Sequence, residues 1–302
     1  MNIPFSIPLD VPKTMQEEYR KNYALMTHDS GRLMLFAGDQ KVEHLNADFS
    51  GEGIAPEDGS PLHLFEIASH AKIGVFAAQL GLIARYGAQY PTIPYLVKLN
   101  SKSNVVHSSQ QDPRSTAWYP ISKIVEFQKN SGLRIPAVGY TVYVGSEYES
   151  EMLEQAARIS YEAHQNGLVT VFWMYPRGKA VAAEKDPHII AGAAGIGACL
   201  GADFVKVNAP KTDTMSSEEA LKEAVLAAGE TKLVCAGGSS TEAKQFLDQL
   251  HKQIHIGGAS GNATGRNIHQ RPLDEAIRLC NAIYAITVED ATVETAMQIY
   301  NG

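Results

Sequence analysis

The sequence predicts an α/β protein: a single (β/α)8 barrel covering residues 1–302, with an N-terminal extension at about 1–32. Three observations carry that expectation. Eight short runs rich in Val, Ile, Phe and Tyr recur along the chain, segments of helical periodicity separate them, and the runs are apolar on both faces. Strands of that kind belong in a parallel sheet covered by helices. Eight strand–helix units in roughly 250 residues fit a closed barrel better than an open sheet. No linker is long enough to divide the chain.

The expected strands are, in order, LMLFAGDQ (33–40), IGVFAA (73–78), IPYLVKLN (93–100), AVGYTVYV (137–144), VTVFWMYP (169–176), ADFVKVN (202–208), KLVCAGG (232–238) and, with the weakest signal, IHIGGASG (254–261). Between them, ESEMLEQAARISYEAHQNG places Met152, Leu153, Ala156, Ala157, Ile159 and Ala163 on one helical stripe and stops at Gly167. SSEEALKEAVLAAG sets Ser216 three residues before Glu219, the spacing of a capping box, and ends at Gly229. PLDEAIRLCNAIYAI opens on Pro272 at an expected first helical position. The polar stretches 45–62 and 101–118 follow the first and third strands, on the face where such barrels build their sites, and are candidate lids.

Composition narrows the function. With 44% hydrophobic and 20% charged residues the chain is globular. A net charge of -7 argues against a general nucleic-acid binder but leaves small phosphorylated ligands open. Cys199, Cys235 and Cys280 are odd in number, widely spaced and set among apolar residues. They read as core residues of a reducing compartment rather than a disulfide framework or zinc site. The opening MNIPFSIPLDVPKT has neither the basic start nor the apolar run of a secretory signal, and the most hydrophobic stretch, 189–202, is shorter than the ~20 residues of a spanning helix. A cytoplasmic chain without a membrane or nucleic-acid partner is expected.

Lys206, near the end of ADFVKVNAP, is the residue that composition does not explain. A buried ammonium must find a partner, lose its proton or do chemistry. Alternate residues of a barrel strand face inward. That parity groups Leu35, Ala37 and Asp39; Leu96, Lys98 and Asn100; Val171, Trp173 and Tyr175; and Phe204, Lys206 and Asn208. Asp39, Lys98, Tyr175 and Lys206 thus stand toward the C-terminal ends of their strands and are expected to converge. A lysine beside a second cation in a dry site becomes a neutral amine able to attack a carbonyl. A phenol can then move protons, and a carboxylate can take one or orient a hydroxyl. A buried structural ion network is an equally open reading of the same residues.

Glycine-rich turns tip the balance. CAGGSS (235–240) and GGASGNATGRN (257–267) follow the seventh strand and surround the eighth, where barrels of this type commonly bind phosphate through backbone N–H groups and a helix N-terminus. Arg266 lies in the second turn. Arg177, in YPRGK, is a candidate for a second anionic group.

The segments GDQKVEH, YLVKLN, GYTVYVGSEYE, WMYPRGK, ADFVKVN, CAGG and GASGNATGRNIHQ, in that order, resemble the archaeal-type class I fructose-bisphosphate aldolases, a Schiff-base family also found in bacteria. The resemblance runs from about residue 33 to 285. It implies Lys206 as the Schiff-base lysine, Tyr175 as a proton-transferring group and Asp39 as the acid that handles a substrate hydroxyl, with Lys98 less firmly assigned. Gly237, Gly238, Ser239, Gly265 and Arg266 would cradle the C1 phosphate, with Trp173 and Arg177 flanking the tyrosine. It further implies a phosphorylated sugar substrate, no metal and no cofactor, a place in glycolysis and gluconeogenesis, and a homo-oligomer, in archaeal members often a decamer of two stacked pentamers. The chain departs from the family's His-Gly after the first-strand aspartate, carrying Gln40 and Lys41 instead. That departure bears on substrate choice more than on imine chemistry.

Three functions remain from the sequence: reversible cleavage of fructose 1,6-bisphosphate, a related transaldolase-like synthase or aldolase acting on another phosphorylated sugar, and a barrel that binds sugar phosphates without catalysis. His28, His70, His107, His164 and His188 lack metal-ligand spacing and read as surface or loop residues. Glu43 and His44 lie nearer the expected site, with structural and functional roles evenly balanced. Tyr140 and Tyr143 read as packing in the fourth strand, and Trp118 as a subunit contact or a seal at the barrel mouth.

Overall fold

The computed structural model describes residues 6–302; the first five residues of the N-terminal segment discussed above lie outside the described residues. Eight parallel strands close into one barrel in sequence order. They are β1 (Leu33–Ala37), β2 (Val75–Gln79), β3 (Tyr95–Lys98), β4 (Ala137–Val144), β5 (Val169–Pro176), β6 (Phe204–Val207), β7 (Lys232–Ala236) and β8 (Gly261–Thr264). Closure is made by β1 against β8, with Leu33 opposite Gly261 and Phe36 opposite Thr264.

Helices alternate with the strands. α1 (Gln16–Thr27) precedes the barrel, and α2 (Gln40–Glu43) is a single turn after β1. α3 (Pro61–His70), α4 (Leu80–Tyr86), α5 (Ile121–Ser131), α6 (Glu149–Gln165), α7 (Pro187–Cys199), α8 (Ser217–Ala228) and α9 (Ala243–His255) connect successive strands. α10 (Arg266–His269) is a single turn after β8, followed by α11 (Leu273–Thr287) and α12 (Val293–Asn301). The strand residues are buried almost without exception, as the two-faced apolar pattern requires.

The N-terminal helix seals the end of the barrel opposite the site. Tyr23 stacks on Phe204 with ring centroids 5.5 Å apart, and Asn22 donates to the carbonyl of Gly167 at 2.8 Å. Tyr19 donates to Asp203, which also accepts from the Thr170 N–H at 2.7 Å and from His164 Nε2 at 3.1 Å. All these partners precede or open β5 and β6, so α1 lies across the N-terminal mouth.

Several local expectations need correction. The eighth strand is not 254–261. Ile254 continues the buried stripe Phe246, Leu247 and Leu250 of α9, and the strand begins only at Gly261. His164 is not a surface residue: it is buried between Asp10 and Asp203. Cys199 is exposed at the end of α7, whereas Cys235 and Cys280 are buried. Ser216 accepts from the Glu219 N–H at 3.2 Å, but the Glu219 carboxylate meets the Ser216 hydroxyl, so half of the capping box forms. Pro272 caps α11 one residue before its first turn. Among the described residues no helix is long and apolar enough to cross a membrane.

Candidate active site

A cavity of about 430 Å³ opens at the C-terminal ends of the strands. Its floor holds Asp39, Trp173, Tyr175, Lys206 and Asn208. One side is the glycine-rich edge, with Gly237, Gly238, Gly265 and Arg266. The turn after β1 adds Gln40, Glu43, His44 and Asp48, and the stretch after β3 adds Lys102, Asn104 and Ser108, so both candidate lids do border the site.

Lys206 is 3% exposed, and no group among the described residues accepts a hydrogen bond from its amine. Burial pushes its pKa down from the ordinary lysine value; Asp39 and Glu43 oppose this, while Lys98 and Arg266 add to it. Its Nζ stands 5.0 Å from the centroid of the Trp173 ring, which pairs with it in register across β5 and β6. The indole fits because position 139 on β4 is glycine. A Cβ there would come within 2.6 Å of the Trp173 ring and 2.7 Å of Leu96.

Lys98 lies behind this floor rather than in the cavity wall. Its wholly buried ammonium donates to the carbonyl of Asn100 and the hydroxyl of Thr141, each at 2.7 Å, and to Asn100 Oδ1 at 3.3 Å. Glu43 stands 3.9 Å away. Burial lowers the Lys98 pKa too, with Glu43 and Asp39 opposing, but every N–H it carries is occupied. Of the two lysines, only Lys206 has an uncommitted amine.

Asp39 follows β1 and is 1% exposed, yet neither carboxylate oxygen has a hydrogen-bond partner among the described residues. Gln79 fixes its backbone by donating to the Asp39 carbonyl at 2.8 Å. Tyr175 ends β5. Its phenol is pushed well above its usual pKa by burial, then by Glu43 and Asp39, with Arg177 opposing, so it carries its proton at neutral pH. The Arg177 guanidinium lies 5.8 Å from the Tyr175 ring and 5.9 Å from that of Tyr143. Tyr143 therefore faces the cavity, where the sequence suggested only packing. Tyr140 does pack in β4, bonded to the Ser115 carbonyl and Gln155.

The glycine edge is stitched by a residue the sequence reading overlooked. Asn267, fully buried, donates to the carbonyls of Gly237 at 2.8 Å and Ser239 at 2.9 Å, and accepts from the Thr241 N–H at 2.9 Å. Gly238 has φ +71°, in the left-handed region that glycine favours. Arg266 donates through Nη1 to Asp48 at 3.4 Å, while its buried Nε has no partner among the described residues. Ser239 is exposed and borders an adjoining pocket of about 210 Å³. Trp118 is 46% exposed and outside the cavity wall. Among the described residues, no group of three or more His, Cys, Asp or Glu side chains is placed to hold a metal.

Comparison with known proteins places the chain in a family. The family described as DeoC/LacD family aldolase matches residues 33–271. A Methanocaldococcus jannaschii protein named fructose-bisphosphate aldolase/6-deoxy-5-ketofructose 1-phosphate synthase is 60% identical over 98% of this chain and 94% of its own. A class 1 fructose-bisphosphate aldolase of Halobacterium salinarum is 33% identical over 88% of this chain and 94% of its own. Among solved structures, a fructose-bisphosphate aldolase from Slackia heliotrinireducens is 55% identical, with TM-score 0.97 over 100% of this chain and 95% of that one. An archaeal fructose-1,6-bisphosphate aldolase, solved with its catalytic lysine covalently bound to the carbinolamine intermediate, is 29% identical with TM-score 0.75, covering 89% of this chain and 99% of that one. The chain belongs to the DeoC/LacD aldolase family, as a class I aldolase of the archaeal type.

Proposed function

We propose that this aldolase reversibly cleaves fructose 1,6-bisphosphate into dihydroxyacetone phosphate and glyceraldehyde 3-phosphate through an imine at Lys206. The observation that carries the reading is the uncommitted, buried amine of Lys206 in one cavity with Asp39, Tyr175 and a glycine edge suited to phosphate. The neutral amine attacks the C2 carbonyl, and loss of water gives a protonated imine. Asp39 takes the proton of the C4 hydroxyl, the C3–C4 bond breaks, and its electrons enter the imine to give an enamine as the aldehyde leaves. Tyr175, protonated at neutral pH, gives its proton to the carbinolamine hydroxyl as water leaves, regains one from water, and gives that one to the enamine carbon. Water releases the second product and restores the amine. Gly237, Gly238, Gly265 and Arg266 hold the C1 phosphate, and Arg177 meets the distal one.

A second reading keeps the imine and changes the acceptor. The Methanocaldococcus protein is named for a synthase activity as well, and 60% identity over nearly the whole chain favours a transfer of the three-carbon unit to another aldehyde here too. Intact mass after borohydride reduction with dihydroxyacetone phosphate, in wild type and Lys206→Ala, tests the shared step. A single adduct in wild type alone is expected, and activity should survive a chelator. No adduct in either protein sinks both readings, whereas a panel of acceptor aldehydes separates them.

A further inference from the structure

Gln40 occupies the position where the chain departs from the family's His-Gly, and the fold devotes three segments to holding it. Its side-chain oxygen accepts from His269 Nε2 at 3.1 Å and rests on Gly265, where a Cβ would run into that oxygen. His269, on α10, is fully buried, and its Nδ1 stands 2.7 Å from Asp58 Oδ2, one proton lying between the two, which leaves Nε2–H as the donor to Gln40. Phe49 lies flat on the imidazole, with centroids 4.7 Å apart and planes 7° from parallel. Lys41 in turn stands 4.0 Å over the Phe49 ring and donates to the Gly59 carbonyl at 3.0 Å. Hydrogen bonds at both ring nitrogens fix the imidazole, and through it the amide. With Oε1 turned to the ring, the Gln40 NH2 is left for the cavity.

A loop anchor alone would not be built this way. Asp58 is fully buried, yet its Oδ1 has no partner among the described residues, an arrangement that destabilises the fold and calls for a reason. Of the three residues in this relay, Gln40 is the one that lines the cavity. The Gln40 amide sits beside Gly265, next in sequence to Arg266, whose buried Nε–H is also unpartnered, and next to Asp39, whose carboxylate only accepts. Two uncommitted donors beside an acceptor match a phosphate ester oxygen or hydroxyl on the three-carbon part of a phosphorylated ketose.

We propose that Gln40 donates a hydrogen bond to that three-carbon part, and that Asp58 and His269 are positioning residues acting through Gln40. The inference rests on the aldolase reading above. It is tested by steady-state kinetics of Gln40→Glu, Gln40→Met, Asp58→Asn and the Gln40→Glu/Asp58→Asn double variant, with borohydride trapping by dihydroxyacetone phosphate alongside. Gln40→Glu and Gln40→Met should raise KM for fructose 1,6-bisphosphate roughly 10- to 100-fold, the range for a hydrogen bond to a charged group, with kcat changed much less. Asp58→Asn should raise KM by a smaller factor, about 3- to 10-fold, and the double variant should be no worse than Gln40→Glu, because both changes remove one contact. Both Gln40 variants should still trap an adduct at saturating ligand. A purely structural role would lower the melting temperature and the active fraction without moving KM. A folded Gln40→Met with KM within about twofold of wild type would overturn the inference, as would full multiplication of the two effects. Should Asp58→Asn fail to fold, the two Gln40 variants decide alone. A wild type that traps no adduct fails differently, by removing the imine reading and this inference with it.

Discussion

Lys98 and Lys206 share one aromatic platform: each ammonium nitrogen lies 5.0 Å from the centroid of the Trp173 ring. Their surroundings then diverge. Lys98 donates to the Asn100 carbonyl and the Thr141 hydroxyl, whereas no group among the described residues accepts a hydrogen bond from Lys206. The fold thus holds one lysine by hydrogen bonds and leaves the other without them, a single indole apart. Burial does most to lower the proton affinity of Lys206; Asp39 and Glu43 oppose it, each more strongly than the repulsion that Lys98 adds.

Lys98→Met tests that division of labour. Removing the fixed cation takes away repulsion, so the Lys206 pKa should rise and the acidic limb of the kcat/KM profile should move to higher pH. Each unit of movement costs about tenfold at a pH on that limb. The unpaired Asn100 and Thr141 groups should also cost about 1–3 kcal/mol of stability. A pH–rate profile with its acidic limb unmoved would mean that Lys98 is structural only.

Gly139→Ala probes how the platform is seated. A methyl group would press on the Trp173 ring and Leu96 at 2.6–2.7 Å, closer than van der Waals contact allows. The expected cost is about 1–3 kcal/mol, from overpacking of a dense core. The indole must also shift under both lysines, so adduct yield should fall in protein that remains folded. Wild-type melting temperature and trapping would show that the barrel interior gives more than its packing suggests.

Much of this was readable in the sequence because the barrel repeats one local rule. Lys206 and Trp173 each stand on an apolar strand whose period of two fixes the inward face, and Asp39 and Tyr175 follow the same parity to the strand ends. The eighth strand escaped because Gly261–Thr264 is short and polar: Asn262 bonds Thr287 of α11 and Thr264 bonds Asn262 on the face turned to the helices, leaving no apolar signal. The adjacent Ile254 looked like a strand residue but continues the α9 stripe. His164 was misread for another reason. Asp10 and Asp203 lie 154 and 39 residues away, and a pairing at that separation leaves no local trace. Tyr143 was missed as a cavity residue because a tyrosine in a β-strand has the same pattern whether it packs or points at a site.

His164 also gives the protein a pH-dependent element far from the active site. Burial opposes its charge, but Asp203 and Asp10 prevail and raise its pKa to about 9 from the ordinary 6.5. Tyr19 and the Thr170 hydroxyl and N–H also face Asp203. Because the folded-state value lies above the unfolded one, this stabilisation is complete below about pH 6.5 and is lost as pH rises through about 9. It amounts to on the order of 3 kcal/mol. Denaturant melts from pH 6 to 10 should show the decline in wild type and a flatter dependence in His164→Gln. Equal slopes in the two proteins would remove His164 from the account.

Asp39→Asn separates the two halves of the proposed reaction. The wild-type carboxylate is buried without a hydrogen-bond donor among the described residues, so an amide of the same shape should leave stability unchanged or raise it. Removing the charge also removes the influence that most raises the Lys206 pKa, leaving the amine more fully neutral. Imine formation should therefore persist, with a borohydride adduct of dihydroxyacetone phosphate at least as abundant as in wild type. Cleavage of the bisphosphate, which needs the C4 hydroxyl deprotonated, should fall by about 10²- to 10⁴-fold, the usual contribution of a general base. Parallel loss of adduct and cleavage would place Asp39 in imine formation itself and pass the C4 proton to another carboxylate lining the cavity, Glu43 or Asp48.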